Sequence, residues 1–237
     1  MSEPIIVIHE NCESQLYYGD CFKLDLPHKQ ANLVLADPPF GVEWLLDFDF
    51  NELWELYSNV LTPTGIAIID CIQPYSSLLI ASKVAMYRHS RIWVRDIFAS
   101  ARYTAKDQPM LNHLEYVVFS AGRFSSNAKN KCTYHPELLD CDIFPGEYPR
   151  SVFFHPIVKG DRAHAGQKPI GLLRWLIRTY SSPGDTVLDH VMGSGTTGIA
   201  ANLEGRNFIG VEIEKNVFNS AVQNIRRLSL DERESLF

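Results

Sequence analysis

The sequence predicts an α/β fold, a doubly wound and mostly parallel sheet carrying one loop-rich insertion. Three observations predict it. Short β-branched apolar runs alternate with segments of helical periodicity, the pattern of a sheet whose crossovers are helices. One run, Asn32-Leu33-Val34-Leu35, ends abruptly in Ala36-Asp37-Pro38-Pro39-Phe40-Gly41, where two prolines forbid continuation of the ladder. Another, Thr186-Val187-Leu188-Asp189, passes through a glycine-rich turn into a helix.

Taken in order, strands are predicted over 16–18, 33–36, 66–70, 92–94, 116–119, 186–189 and 208–211. Helices are predicted over 51–60, 75–87, 170–180, 196–203 and 217–228. Leu172, Leu173, Leu176 and Ile177 recur at helical spacing and form a core stripe. Thr62-Pro63-Thr64-Gly65 and Ser182-Pro183-Gly184-Asp185 are turns feeding strands. Residues 120–163 break the alternation, mixing Ser, Asn, Pro, Gly, Lys and aromatics without a period, and read as a recognition insertion. With 237 residues, 46% of them apolar, the chain can bury one sizeable core and is read as a single domain over 1–237.

Composition excludes several classes. No apolar run approaches the ~20 residues that span a bilayer, so no membrane partner is expected. The acidic start Met1-Ser2-Glu3-Pro4 does not resemble a secretory signal. Five cysteines without a C-x-x-C pair read as reduced thiols of a cytoplasmic protein. Cys132, His135 and Cys141 lack a fourth zinc ligand at conventional spacing, so no metal is expected. The net charge of −6 argues against coating nucleic acid with the whole surface. Residues 1–70 hold 2 basic and 12 acidic side chains, whereas residues 83–131 hold 9 basic and 3 acidic. A basic middle suits a local phosphate-binding face, and equally a solvated mixed surface.

The strand ending in Asp37-Pro38-Pro39-Phe40 holds a carboxylate, proline carbonyls and an aromatic ring in one stiff cluster, at the end of a strand where open α/β sheets bind ligands. The later turn, Gly193-Ser194-Gly195-Thr196-Thr197-Gly198, formally matches G-x-G-x-x-G, with Glu212 after the next strand to take ribose hydroxyls. That pattern alone admits a nucleotide-dependent oxidoreductase. Asp189 argues otherwise, because a carboxylate beside the helix N-terminus repels a pyrophosphate but attracts an ammonium and a sulfonium. S-adenosyl-L-methionine carries both.

These residues resemble the permuted, beta-class DNA amino-methyltransferases that act on adenine N6 or cytosine N4. The family's D/N/S-P-P-Y/F/W motif is matched by Asp37-Pro38-Pro39-Phe40, and D-P-F-x-G-S-G-T-T by Asp189 with Gly193, Ser194, Gly195, Thr196 and Thr197. H-P-x-Q-K-P is similar to His164-Ala165-Gly166-Gln167-Lys168-Pro169, and the G-D element near the cofactor adenine to Gly19-Asp20-Cys21. Leu61-Thr62-Pro63-Thr64-Gly65 resembles the family's L-K-P-G-G turn, and Leu114-Glu115-Tyr116 through Phe119 its H-E-x-I-x-x-F strand. His190-Val191, Ala165 and Phe40 depart from the Pro-Phe, Pro and Tyr found more often.

The resemblance implies a Rossmann-like methyltransferase fold, with Asp37, Pro38, Pro39 and Phe40 catalytic. It assigns Asp20, Cys21, Gln167, Lys168, Asp189, Gly193, Ser194, Gly195, Thr196, Thr197 and Glu212 to S-adenosylmethionine. It implies double-stranded DNA as partner and restriction-modification as setting, and it admits a homodimer and a cognate restriction endonuclease. Asp at the first motif position favours adenine N6 over cytosine N4, where the family's enzymes more often carry Ser. A non-catalytic DNA-binding relative is the remaining alternative.

Overall fold

A computed structural model describes residues 3–38, 49–95, 106–107, 111–125, 127–136, 149–157 and 168–228. Among the described residues nine strands form one sheet: β1 (Ile5–His9), β2 (Cys12–Tyr18), β3 (Ala31–Ala36), β4 (Leu61–Cys71), β5 (Tyr87–Val94), β6 (His113–Ser120), β7 (Val152–Phe154), β8 (Thr186–Asp189) and β9 (Asn207–Glu212). The described residues also form five α-helices: α1 (Phe50–Val60), α2 (Tyr75–Ser82), α3 (Ile170–Tyr180), α4 (Thr196–Leu203) and α5 (Lys215–Arg226). The strand order is β1-β2-β9-β8-β3-β4-β6-β5-β7. Five of its eight neighbouring pairs are parallel; β1–β2, β4–β6 and β5–β6 run antiparallel.

Both faces of the sheet are covered, which explains the near-continuous apolar runs in its central strands. Leu33 and Leu35 of β3, with Ile66 and Ile68 of β4, pack against α3, α4 and α5. Val34, Ala36, Ala67 and Ile69, the alternate positions, pack against α1 and α2. Asp49 caps α1, its Oδ1 accepting the Asn51 N–H at 2.8 Å.

The sheet switches direction between β3 and β8. From β3 the chain crosses by α1 to β4 on one side, and from β8 by α4 to β9 on the other. Such a switch opens a crevice at the strands' carboxyl ends, and β3 and β8 deliver Asp37 and Asp189 there.

Several expectations shift. The predicted helix over 75–87 ends at Ser82; Val84–Met86 is one tight turn, and Tyr87 already belongs to β5. Apolarity alone could not separate a buried helix from a buried strand there. Thr62-Pro63-Thr64-Gly65 is a bulge inside β4, since Ala31 pairs with Leu61 but Leu33 with Ile66. Pro63 has no N–H for the ladder, and a Cβ on Gly65 would meet the Ala31 carbonyl oxygen at 3.0 Å. Two sheet-edge strands, β1 and β7, carry no predicted counterpart. Among the described residues no helix is long and apolar enough to cross a membrane.

A few side chains of 120–163 anchor that segment in the core, while most of its described residues are exposed or half-buried. Cys132 and Phe153 are each 1% exposed, and Phe124 and Tyr134 pack on Tyr180 of α3. Arg91 of the basic middle is 3% exposed, its guanidinium lying 4.6 Å from the Trp175 ring and donating to the Arg150 carbonyl at 2.9 Å. This part of the basic middle holds the fold together and is closed to phosphate. The Arg88 side chain likewise donates to the carbonyls of Gly122, Ala85 and Tyr87.

Candidate active site at the strand switch

Asp37 follows the last residue of β3 and is about half exposed. The parallel register of Leu33 with Val187 and Val34 with Leu188 sets Asp189 level with Leu35, so both carboxylates lie at one end of the sheet. Between the ends of β3 and β8 runs a cleft of about 200 Å³. Asp37, Lys168 and Asp189 line it, together with Leu173, Val191, Met192, Gly193, Ser194, Thr196 and Thr197.

Asp189 is 4% exposed. Burial pushes its carboxyl up to about 7, against hydrogen bonds from the Thr197 hydroxyl and the Val191 N–H, the latter at 3.1 Å. His190 is buried edge-on against Tyr57 at 5.6 Å, and burial pushes it down to about 4, so it packs as a neutral ring.

The glycine turn is held by Met192 N–H to Val211 O at 2.9 Å and Gly195 N–H to Met192 O at 2.9 Å. Gly195 caps α4 at φ 85°, where a Cβ would also meet Ile225 Cδ1 at 3.1 Å. Gly193 has φ 52° and open space where a Cβ would stand, so backbone borders the cleft directly. Its N–H donates to Glu212 Oε2 at 3.0 Å, while Glu214 N–H donates to Glu212 Oε1 at 2.8 Å. Glu212 ends β9, and its carbonyl accepts the Gly19 N–H at 3.0 Å, which brings Asp20 alongside. Asp20 accepts from Phe22 N–H at 3.1 Å and pairs with Lys23 at 2.8 Å; that pairing lowers its carboxyl below the usual range.

Cys21 is placed differently. It lines a second cavity of about 460 Å³ between the turn after β2 and α1, and burial pushes its thiol up to about 12. Lys168 bridges two carboxylates, Asp37 Oδ2 at 2.8 Å and Asp70 Oδ2 at 2.6 Å. Asp70 is a site residue that the motifs do not point to. An ionisable residue at the end of the apolar run Ile66-Ala67-Ile68-Ile69 is its only signal in the sequence.

The structure thus gathers Asp37, Lys168, Asp189, Gly193, Ser194, Thr196 and Thr197 on one cleft; Gly195 caps the adjoining helix, Glu212 is bonded to Gly193, and Asp20 follows Gly19, which is bonded to Glu212. Pro38 follows Asp37; Pro39, Phe40 and Gln167 lie outside the described residues. Among the described residues no cluster of His, Cys, Asp and Glu could hold a metal ion; Cys141 lies outside them.

Comparison with known proteins places the chain in a family. Over 264 aligned residues the chain is 43% identical to the type II methyltransferase M.HinfI of Haemophilus influenzae, covering 89% of this chain and 67% of that protein. The PvuII cytosine-N4-specific DNA methyltransferase superposes with a TM-score of 0.72 at 16% identity, over 94% of this chain and 90% of that one. M1.HpyAVI, solved as a complex with S-adenosylmethionine, superposes with a TM-score of 0.67 at 23% identity, over 90% and 98%. Residues 31–223 match the family model for N6/N4 DNA methylases. The chain belongs to the N6/N4 DNA methylase family, on the Rossmann-like fold of its structural neighbours.

Proposed function

We propose that this protein transfers a methyl group from S-adenosylmethionine to the N6 amine of adenine in double-stranded DNA. The observation that carries the reading is the meeting of Asp37 and Asp189 on one cleft at the sheet switch. Family membership stands against the oxidoreductase reading of the glycine turn.

The residues present suit the cofactor. Asp189, a buried carboxylate pushed up to about 7, gains from a cation set beside it. Open space at Gly193 admits a ligand against the backbone, and Glu212, held by two N–H groups, keeps lone pairs for ribose hydroxyls. The bound cofactor supplies an electrophilic methyl on a sulfonium.

The chain's own residues do the remaining work. The lone pair of an exocyclic amine is delocalised into the ring, so acceptors for its two N–H bonds favour a pyramidal, nucleophilic nitrogen. Asp37 and the Pro38 carbonyl are those acceptors in this reading. Asp189, the Gly193 backbone and Glu212 would hold the cofactor, whose sulfonium would supply the methyl with a neutral thioether as leaving group. The surplus amine proton goes to Asp37, which is exposed enough to release it to water. The base must leave the duplex to reach this pocket. Stacking by Phe40 and target recognition by 120–163 belong to this reading as further proposals, as do a homodimer and a companion endonuclease.

The choice of adenine rests on Asp at position 37. Transfer of labelled methyl to DNA, followed by hydrolysis and chromatography of the nucleosides, tests it. Label in N6-methyldeoxyadenosine is the expected result. Label in N4-methyldeoxycytidine overturns the choice of base, and DNA binding without label would make the chain a non-catalytic binder.

A further inference from the structure

Lys168 sits in the segment that the family resemblance places at the cofactor's methionine end, yet its ammonium is occupied elsewhere. It lies 2.8 Å from Asp37 Oδ2 and 2.6 Å from Asp70 Oδ2. Asp70 is 3% exposed and stands beside Asp37, since the β3–β4 register pairs Ala36 with Ile69. We propose that Asp70 and Lys168 form a buried charge clamp that fixes Asp37 by its Oδ2, leaving Oδ1 as the oxygen that accepts the target amine's N–H. The proposal rests on Asp37 as the amine acceptor.

The physical need is clear from exposure. The Asp37 side chain is 45% exposed, and an unheld carboxylate there would turn freely between rotamers. Lys168 is 15% exposed, and its backbone runs directly into Pro169 at the N-cap of α3, so its stem starts from a fixed point. An ammonium can serve two carboxylates at once; its ion pairs to Asp70 and Asp37 tether the Asp37 carboxylate by Oδ2 and leave Oδ1 outside the pair.

The surrounding charges keep the clamp loaded. Asp70 faces Lys168, Asp37, Arg95 and the Tyr116 hydroxyl, and Glu115 lies across from Cys71 on β6. Burial drives the Asp70 carboxyl up, opposed first by the Lys168 charge. The two carboxylates outweigh burial at Lys168 and hold its ammonium above the ordinary lysine value, so it stays a cation at neutral pH. A cation anchored on a buried carboxylate cannot swing towards solvent, and its reach to Asp37 is therefore constant. Asp70 touches neither substrate nor cofactor in this arrangement; it is a positioning residue acting through Lys168.

The test compares wild type with Lys168→Met, Lys168→Arg, Asp70→Asn, Asp37→Ala and the Asp37→Ala/Lys168→Met double variant. Single-turnover methyl transfer at saturating DNA and cofactor is measured beside equilibrium binding of S-adenosylmethionine. Lys168→Met should lower the rate about 100-fold, the scale of losing a positioned group, with cofactor affinity unchanged. Lys168→Arg should restore most of the rate, and Asp70→Asn should reproduce the rate loss in part. In the double variant, the lysine substitution should cost nothing beyond Asp37→Ala alone. Weakened cofactor binding with an intact saturated rate would make Lys168 a cofactor ligand and overturn the clamp, as would additive losses in the double variant. If Asp70→Asn does not fold, the methionine and arginine pair still decides. A wild type that methylates no DNA would remove the proposed function itself, an outcome distinct from a failure of the clamp.

Discussion

At the residue scale the cleft depends on two carboxylates with opposite tasks. In the proposed reaction Asp37, half exposed, accepts the amine N–H, and Asp189, buried, attracts the cofactor's positive charge. Asp37→Ala should reduce methyl transfer by about 10²–10⁴-fold, the usual worth of a positioned proton acceptor, while cofactor binding persists; single-turnover rates and equilibrium titration check both. Asp189 has a pH signature. Its carboxyl is raised from its ordinary value to about 7, so the stability it lends is whole below the unfolded value and is lost as pH rises through about 7. His190, pushed down to about 4, acts in the other sense and loses stability as pH falls from its ordinary value towards 4. The difference between wild type and Asp189→Asn separates them. Asp189→Asn should gain on wild type between about pH 4 and about pH 7, by roughly 1.4 kcal/mol for each pH step of one, and level off above. Urea unfolding at several pH values measures this, and a pH-independent difference would contradict it. A cation bound beside Asp189 favours its ionised form, so cofactor binding below pH ~7 should release protons.

At the element scale, one arginine of the basic middle departs from what composition suggests. The excess of arginine and lysine in that segment suggests a phosphate face, and its aromatics suggest recognition. Arg91 on β5 instead stacks on Trp175 of α3 and ties down the Arg150 carbonyl beside β7. Charge counting cannot separate a guanidinium buried on an indole from one facing solvent, because the distinction lies in which helix passes over the strand. Arg91→Ala should therefore lower stability by about 2–4 kcal/mol, from a desolvated cation–π contact and charge-assisted hydrogen bonds. The salt dependence of DNA binding by the folded variant should stay as in wild type. A urea midpoint unchanged by the substitution, with a reduced salt slope, would return Arg91 to the phosphate face.

At the scale of the whole molecule, the sheet interleaves early and late segments. β2 pairs with β9 and β3 with β8, so the first third of the chain is completed only by its last quarter. A chain ending after residue 157 should lose cooperative unfolding, because β2 and β3 would no longer share a sheet; circular dichroism melting tests it, and a sharp transition in that fragment would refute it. The sequence by itself determined the α/β class, most central strands, and the two strand-end motifs, because burial on both faces imposes apolar runs and because proline and glycine punctuate a chain locally. With the family resemblance it also pointed to Asp37, Lys168, Asp189, Gly193, Ser194, Thr196 and Thr197 of the cleft, but not to Leu173, Val191 or Met192. Only the tertiary structure decided what lies between distant segments: that β3 and β8 are neighbours, that Arg91 is core, and that Asp70 stands behind Lys168 and Asp37. Each is a contact across long stretches of sequence, and no local period or spacing encodes which strand lies beside which.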